Sequence, residues 1–378
     1  MRREFALLSC AALLALCTGS ALAADAGALE IASQGYIFAG GKYVEGPGGK
    51  YMSGQAYVEY QIPKNRTRPY PIVMIEGGGQ SGSNFTGTPD GREGWAQYFL
   101  RHGYAVYVVD QPGRGRSAVA SVYGKTAISP VATIEQRFTA PERSNMWPQA
   151  KFHTQWPGTG VAGDPSFDQF YAEQLPAIAD FPKQQELNRD AGAALLDRIG
   201  PAILLTHSQS GAFGWPIADA RPNLVKAIVA VEPSGPPVRD VVFKGAPDYF
   251  EDGPLTKPYG IAAVPLAYGG VANAPELSFV EQDRPDSPQR VKCWRQKEPA
   301  RQLTNLHNIP VVILSSEASY HASYDHCTAE YLAQAGVKNE FIRLADRGIR
   351  GNGHMMMLEK NNLEIARVIA DWLGKNIH

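Results

Sequence analysis

The alternation of apolar and polar positions predicts a chain in which strands and helices follow one another. Positions 56–62 alternate apolar and polar side chains after an earlier β-like run, which is typical of an opening antiparallel hairpin within 30–63. Six later runs are rich in apolar residues and predict strands buried on both faces, as in a parallel sheet. These runs lie at 71–75, 104–109, 203–207, 225–231, 310–314 and 340–344.

Helix-like segments separate these strands, so the pattern predicts an α/β fold with a mostly parallel central sheet flanked by helices. They lie at 94–102, at 184–199, at 322–335 and at the C-terminus. Positions 355–357 are predicted to begin a further helix. The last helix has a one-sided apolar stripe that should pack on the sheet, formed by Ile365, Val368, Ile369, Trp372 and Leu373.

Two long segments interrupt the alternation and predict cap-like insertions in a single domain covering 24–378. The first, about 118–182, is rich in aromatic residues among prolines and glycines. Two interpretations of it stay open: aromatic side chains placed over a pocket, or a satellite core under a long loop. The second, about 238–305, is rich in proline and charge, and the sequence predicts no role for it.

The N-terminus predicts export from the cytoplasm. Two arginines precede an apolar run at 5–17 and small residues at 21–23, so 1–23 is interpreted as a signal peptide cleaved near Ala23. No later apolar stretch is long enough to span a bilayer. The mature chain would be periplasmic or secreted and would keep Cys293 and Cys327. In an oxidising compartment we expect these two to form a disulfide rather than two buried thiols.

The net charge of the chain limits the classes of binding partner that can be expected. The chain has 36 Lys and Arg residues against 37 Asp and Glu, a net charge of −1. A nearly neutral chain has no basic field to attract nucleic acid, so a small molecule or a neutral polymer is the expected partner. Specificity would then come from a pocket. The sequence does not predict the oligomeric state.

A sharp turn after the 203–207 run is the candidate centre of the chemistry. Small residues two before and two after a serine allow a strand-turn-helix that exposes the hydroxyl as a nucleophile. Thr206 and Ser210 hold those places around Ser208, and Gly211 would begin the helix. A second frame, with Ser210 as the nucleophile, stays possible.

A serine nucleophile needs a base within reach and a third group that orients the base. His354 is the candidate base, because it follows the last predicted strand on a loop whose neighbouring glycines relieve backbone constraints. Glu232 is the preferred acid, since it ends the strand after the serine turn and can reach the histidine from there. Glu317 and Asp325 remain alternative acids.

The oxyanion formed in such a reaction needs preorganised N–H donors. One would come from Gln209, directly after the nucleophile. The other would come from Gly78 in the glycine-rich loop after an early strand, with Gly79 as the alternative. Gly77, Gly79 and Gly82 also match a dinucleotide-binding spacing, but the turn-like residues that follow do not supply the helix which that pattern requires.

Neither a cofactor nor a metal is predicted. His321, Asp325, His326 and Cys327 lie close together in the sequence, but their spacing matches no common metal site. The expected disulfide would also consume the cysteine. The chemistry predicted at Ser208 requires only side chains, backbone amides and water.

Five motifs together are more specific than any one of them. They are THSQSG at 206–211, VEP at 231–233, TPDGR at 88–92, DQPGRGRS at 110–117 and GNGHMMM at 351–357. In combination they resemble the secreted bacterial α/β-hydrolase esterases of the esterase 713 type. The resemblance covers the chain from about residue 30 to the C-terminus.

The resemblance implies an α/β-hydrolase fold and a serine carboxylesterase whose triad acid is a glutamate after the sixth strand. Matching positions are Ser208 for the nucleophile, His354 for the base and Glu232 for the acid. The oxyanion donors correspond to Gly78 and Gln209. This chain departs from the type member in the oxyanion loop, where it lacks a pair of cysteines, so no redox feature is expected there.

We therefore expect a hydrolase that cleaves a small-molecule carboxylic ester through an acyl-enzyme intermediate, using a Ser-His-Glu triad and no cofactor. A lactonase or amidase with the same triad is the alternative enzyme. A catalytically silent binding protein of the same fold is the alternative from another class.

Overall fold

The computed structural model describes residues 27–117, 123–269 and 276–377. The predicted signal peptide at 1–23 lies outside this part of the chain. Among the helices that are described, none combines the length and the apolar character needed to cross a membrane.

An eight-stranded sheet forms the centre of the molecule, with the strand order β1-β2-β4-β3-β5-β6-β7-β8. Five neighbouring pairs, from β4 across to β8, run parallel, whereas β2 is antiparallel to both β1 and β4. The mostly parallel sheet predicted from the apolar runs is therefore confirmed. The strands are β1 (Ile31–Gly46), β2 (Gly49–Pro63), β3 (Ile72–Ile75), β4 (Val106–Asp110), β5 (Ala202–His207), β6 (Val225–Val231), β7 (Val311–Ser315) and β8 (Asn339–Arg343).

Helices cover both faces of the sheet, which explains why the central strands are apolar on both sides. Along β3, Val73 and Ile75 point to a core shared with α5, α6 and α7, whereas Ile72 and Met74 point to a core shared with α2 and α8. The helices are α1 (Ser83–Thr86), α2 (Trp95–Arg101), α3 (Val131–Ile134), α4 (Pro165–Ala172), α5 (Phe181–Ile199), α6 (Gly211–Ala220), α7 (Asp325–Gln334) and α8 (Asn362–Asn376).

The prediction that a helix begins at 355–357 is wrong. Met355, Met356 and Met357 form turns with fully buried side chains, and α8 begins only at Asn362. Arg92 supplies a physical reason, because its guanidinium donates to the carbonyl oxygens of residues 358, 359 and 360 at 2.9–3.1 Å. A helix would need carbonyl groups in this region for its own hydrogen bonds.

The aromatic residues of the first insertion lie in different surroundings. Trp156, Phe167 and Phe170 are buried in the core on the α2 and α8 side of the sheet. Trp147 belongs to a satellite cluster, and Phe138 reaches the candidate site described below.

The second insertion consists largely of short antiparallel pairs. Arg239–Phe243 pairs with Phe250–Leu255, Phe279–Glu281 with Trp294–Gln296, and Tyr268–Gly269 with Gln302–Leu303. A disulfide joins Cys293 in this insertion to Cys327 on α7, which confirms the disulfide predicted from the sequence. Both cysteines are buried in the satellite cluster with Trp147.

Candidate active site

Ser208 lies at the turn between β5 and α6, and its backbone is held in an unusual conformation. Its φ is 54°, in the left-handed region that non-glycine residues seldom adopt. The turn is tight: a Cβ at Gly211 would lie 2.4 Å from the Cβ of Pro233, so only glycine fits there. The backbone therefore has the form of a nucleophile elbow with Ser208 at its tip, partly exposed.

Ser210, the alternative nucleophile, is buried and fully engaged with the backbone. Its hydroxyl lies 2.7 Å from the carbonyl oxygen of Ile75 and accepts from the His207 amide at 2.8 Å. These bonds join the elbow to the end of β3. The geometry favours Ser208 over Ser210 as the reactive serine.

His354 and Glu232 are brought together from distant parts of the chain. The Nδ1 atom of His354 lies 2.6 Å from Oε2 of Glu232, and both side chains are almost completely buried. The His354 ring lies beside the elbow, with its centre 4.5 Å from that of His207. Its Nε2 atom has no hydrogen-bond partner within the described residues.

Glu232 accepts hydrogen bonds on both carboxyl oxygens. Besides His354, the amide and hydroxyl of Ser316 lie 2.8 and 2.6 Å from Oε1, and the Ser319 hydroxyl lies 2.6 Å from Oε2. Burial raises the pKa of Glu232, and hydrogen bonds from Ser316 and Ser319 oppose that rise because they favour the ionised carboxylate. Its backbone φ of 44° is also left-handed.

The two alternative acids have other partners. Glu317 accepts from the Arg350 guanidinium at 2.6 Å and from the amide of Gly351 at 2.9 Å. Asp325 lies 2.8 Å from Nδ1 of His321. Of these three candidate acids, all within the described residues, only Glu232 is hydrogen-bonded to His354.

His321 is a second buried histidine that lies against the first. Its ring stacks on that of His354, with centres 4.7 Å apart and planes 9° apart. Burial lowers the pKa of His321 to about 4, so the ring is neutral at neutral pH. Burial, with further contributions from His321 and Arg137, also lowers the pKa of His354 well below its usual value. A neutral His354 can accept a proton.

Two aromatic residues at the site were missed in the sequence. The Tyr320 ring lies 4.8 Å from that of His354. Burial raises the pKa of the Tyr320 hydroxyl, and the nearby Ser208 side chain is among the groups that oppose this rise. Phe138 stacks on the His354 ring, with ring centres 5.3 Å apart. For Tyr320 a signal existed, since it follows closely on β7, the neighbour of β6, the strand directly before Glu232. Nothing comparable marked Phe138 among the many aromatics of its insertion.

The glycine-rich loop after β3 packs against the elbow. A Cβ on Gly77 would lie 3.1 Å from that of Ser208, and one on Gly78 would lie 3.7 Å from Cδ of Gln209. The two predicted oxyanion donors, Gly78 and Gln209, are therefore on adjacent segments. Gly79, the alternative donor, has a φ of 75° and its carbonyl oxygen accepts from the Leu175 amide at 2.7 Å.

Arg114 ties these two segments together and was not identified from the sequence. Its Nη1 donates to the carbonyl oxygen of Gly77 at 2.6 Å and its Nη2 donates to Oε1 of Gln209 at 2.8 Å. Glu76 lies 3.8 Å from the same guanidinium, and both side chains are buried. Burial raises the pKa of Glu76 to about 8, against the opposing effect of Arg114.

A family model described as "Alpha/beta hydrolase family" matches residues 73–368, more than half of the chain. The chain belongs to the α/β hydrolase family. It is 50% identical over 333 residues to a probable secreted lipase, phiG, from a fungal species (strain ATCC 74256), covering 87% of this chain and 88% of that protein. The solved structure titled "The Atomic Resolution Structure of a Novel Bacterial Esterase" is 24% identical, with a TM-score of 0.61 over 93% of this chain and 98% of the other.

These likenesses confirm the predicted fold class and support ester hydrolysis in general terms. In this α/β hydrolase, the glycine spacing that matched a dinucleotide pattern serves packing. A Cβ on Gly82 would lie 2.4 Å from Cγ1 of Val108, and only the four-residue α1 follows it.

Two groups of metal-ligand side chains occur in the described part of this α/β hydrolase. In the first, Cys293 and Cys327 are bonded to each other, which removes the thiolates that a metal would require. The second consists of Glu232, His321 and His354, whose donor atoms lie within 4.8 Å of one another. Hydrogen bonds occupy both Nδ1 atoms of these histidines, so the arrangement suits proton transfer better than metal binding.

Proposed function

We propose that this α/β hydrolase is a serine esterase in which Ser208, His354 and Glu232 form the catalytic triad. One observation carries the proposal: the 2.6 Å contact between His354 Nδ1 and Glu232 Oε2 lies beside an elbow with a left-handed serine at its tip. The lipase and esterase relatives support the same class of reaction. The substrate is a small-molecule carboxylic ester, and no cofactor takes part.

In the first half of the reaction, Ser208 Oγ forms a bond to the ester carbonyl carbon while His354 Nε2 takes the hydroxyl proton. The carbonyl oxygen becomes an oxyanion that accepts hydrogen bonds from the backbone amides of Gly78 and Gln209. When the tetrahedral intermediate collapses, the bond to the alcohol oxygen breaks and His354 returns the proton to that oxygen. An acyl-enzyme remains on Ser208.

In the second half, water attacks the acyl carbon and His354 takes a proton from it. Collapse of the second tetrahedral intermediate breaks the bond to Ser208 Oγ, which recovers its proton from His354, and the carboxylic acid leaves. Throughout, Glu232 fixes the ring orientation of His354 and stabilises the imidazolium that forms transiently. The low pKa of the buried His354 keeps Nε2 available as a base at neutral pH.

In the resting state, Ser208 and the proposed base are not hydrogen-bonded to each other. Nε2 of His354 has no hydrogen-bond partner among the described residues. Catalytic hydrogen bonds often tighten only when substrate is bound.

Export is part of the proposal. Three observations favour an oxidising compartment: the predicted signal peptide at 1–23, the Cys293–Cys327 disulfide and the similarity to a probable secreted fungal lipase. The mature protein would act in the periplasm or outside the cell.

A hydrolysis screen of matched esters, lactones and amides tests the function, with the mature protein and its Ser208→Ala variant side by side. The proposal expects turnover of esters by the wild type, loss of turnover in the variant, and labelling of Ser208 by a fluorophosphonate. Preferential turnover of lactones or amides would replace esterase by the alternative enzyme class. If the folded protein shows no turnover and no labelling, the result favours a catalytically silent binding protein.

A further inference from the structure

Arg137 is a cation beside the proposed catalytic residues, and no acidic side chain in the described part of the chain forms an ion pair with it. Its guanidinium carbon lies 5.9 Å from the centre of the Tyr320 ring, and that ring lies 4.8 Å from the ring of His354. Within 27–117, 123–269 and 276–377, Arg137 forms neither an ion pair nor a hydrogen bond. Other arginines do pair, as Arg116 does with Asp110 at 2.9 Å.

The acidic residues nearest to Arg137 in sequence have other partners. Glu135 accepts from the amide of Ala162 at 2.9 Å. Glu142 lies 2.9 Å from Nδ1 of His153. Arg137 therefore faces the site without an ion-pair partner among the residues that the structure describes.

The insertion fixes where Arg137 lies. Arg137 belongs to the irregular helical turn Glu135–Thr139, and the next residue, Phe138, stacks on the His354 ring. The Thr139 hydroxyl donates to the carbonyl oxygen of Gly160 at 2.6 Å, which anchors the far end of this turn. Arg137 is thus held close to His354 by its chain neighbours, while its own exposed side chain forms no ion pair or hydrogen bond in the described part of the chain.

An uncompensated positive charge here works against the proposed chemistry. His354 must become an imidazolium when it takes the proton of Ser208, and a nearby cation raises the energy of that state. The charge of Arg137 contributes to the low pKa of both His354 and His321. A negative group supplied by the substrate would cancel this effect at the moment of reaction.

We propose that Arg137 binds a carboxylate carried by the substrate, so that the preferred substrate is an ester that also bears a free carboxylate. This inference rests on the proposed esterase function and names the substrate class of the same site. The planar guanidinium fork of arginine suits two parallel hydrogen bonds to a carboxylate. The half-esters of short dicarboxylic acids are the simplest compounds of this class.

Matched substrates test the inference. Monomethyl esters of succinic, glutaric and adipic acid are compared with the corresponding primary amides, which have nearly the same size but no charge. For the chain length that fits, the wild type should show the higher kcat/KM on the half-ester. Arg137→Gln should lower that value by about 10-fold or more, because hydrogen bonds between charged groups are lost.

The direction in which Arg137→Gln changes kcat/KM on the neutral substrate is a more stringent test than the loss on the half-ester. On the ester amide, Arg137→Gln should leave kcat/KM unchanged or raise it, since the cation that opposes imidazolium formation is gone. Arg137→Lys should retain part of the preference for the half-ester. Arg143→Gln is the matched control: Arg143 lies on the same insertion, pairs with Glu142 and should not alter the preference.

Two outcomes overturn the inference while leaving the esterase proposal intact. One is equal kcat/KM on the charged and neutral esters in the wild type at every chain length. The other is an equal loss on both esters in Arg137→Gln, which would assign the arginine to general stabilisation of the oxyanion. If no ester is hydrolysed and no fluorophosphonate reacts, the proposed function itself fails and this inference fails with it.

Discussion

The Nε2 atom of His153 lies 2.8 Å from Oε1 of Glu359, whose carboxylate also binds the backbone of the residue before His354. The same carboxylate accepts from the amide of Gly353 at 2.9 Å. The other ring nitrogen of His153 lies 2.9 Å from Glu142 in the first insertion. One buried imidazole therefore links the insertion that carries Arg137 to the loop that carries the proposed base.

This link should make stability fall at alkaline pH. Burial alone would lower the pKa of His153, but hydrogen bonds to Glu142 and Glu359 raise it to about 9 from an unperturbed 6.5. A group whose pKa is higher in the folded state than in the unfolded state stabilises the fold fully at pH values below its unfolded-state pKa. This stabilisation is lost as the pH rises through its folded-state pKa. The free energy of unfolding should therefore decline between pH 6.5 and about 9, by on the order of 3 kcal/mol.

Urea unfolding of the wild type and of His153→Gln across this pH range measures the effect. The variant should be less stable at pH 6 and should show a flatter pH dependence. His307→Gln, at an exposed histidine, is the control and should keep the wild-type slope. A wild-type slope that persists without His153 would assign the alkaline transition to another group.

Alanine substitutions at the two serines of the elbow should have different effects: Ser210→Ala should lower stability, whereas Ser208→Ala should abolish activity. Ser210→Ala removes a buried hydroxyl that bonds to the backbone of residues 75 and 207, which should cost about 1–3 kcal/mol of unfolding free energy. Turnover per folded molecule and fluorophosphonate labelling should survive. Ser208→Ala should fold normally and lose both. A folded Ser210→Ala variant that resists labelling would move the nucleophile to Ser210.

The strands and the candidate triad could be predicted because their signals are local. A buried parallel strand is a short apolar run, and an elbow is a serine between small residues, so β3 to β8 and Ser208 can be recognised within a few residues. The position of Glu232 follows from one further rule, since carboxyl ends of neighbouring parallel strands lie at the same edge of the sheet. Its contact with His354 in the structure agrees with that expectation, while its catalytic role stays a proposal.

What escaped prediction depends on contacts between segments far apart in the sequence. Arg114 bridges the loop after β3 to the elbow, and Phe138 crosses from an insertion to His354. The turns at 355–357 exist because Arg92, much earlier in the chain, takes the carbonyl groups that follow them. Neither periodicity nor spacing reports such partners, because tertiary contacts override local preference.

Arg114 should act on turnover rather than on substrate binding. It holds Gly77 and Gln209 in place, so its loss should misplace the proposed oxyanion donors, whose contacts are strongest in the transition state. Because removing it alone would leave Glu76 buried without its cation, the test uses Arg114→Met combined with Glu76→Gln. We expect kcat to fall about 10-fold with a smaller change in KM.

Glu76→Gln alone is the control for Arg114 and should retain most of kcat. Affinity for a boronic acid or phosphonate that mimics the tetrahedral intermediate supplies a second measurement, which should weaken in parallel with kcat in the double variant. A stable double variant with normal kcat and normal inhibitor affinity would show that Arg114 only supports folding.

The choice of acid can be tested at three positions that the sequence left open. Glu232→Gln keeps the side-chain volume but removes the charge that orients and stabilises protonated His354, so kcat should fall by about 1,000-fold or more. Glu317→Gln should change kcat by no more than about 2-fold, because Glu317 contacts Arg350 and the amide of Gly351 rather than the base. Asp325→Asn perturbs His321 and should have an intermediate effect. Kinetics on folded variants, verified by thermal unfolding, would reassign the acid if the largest loss occurred at Glu317 or Asp325.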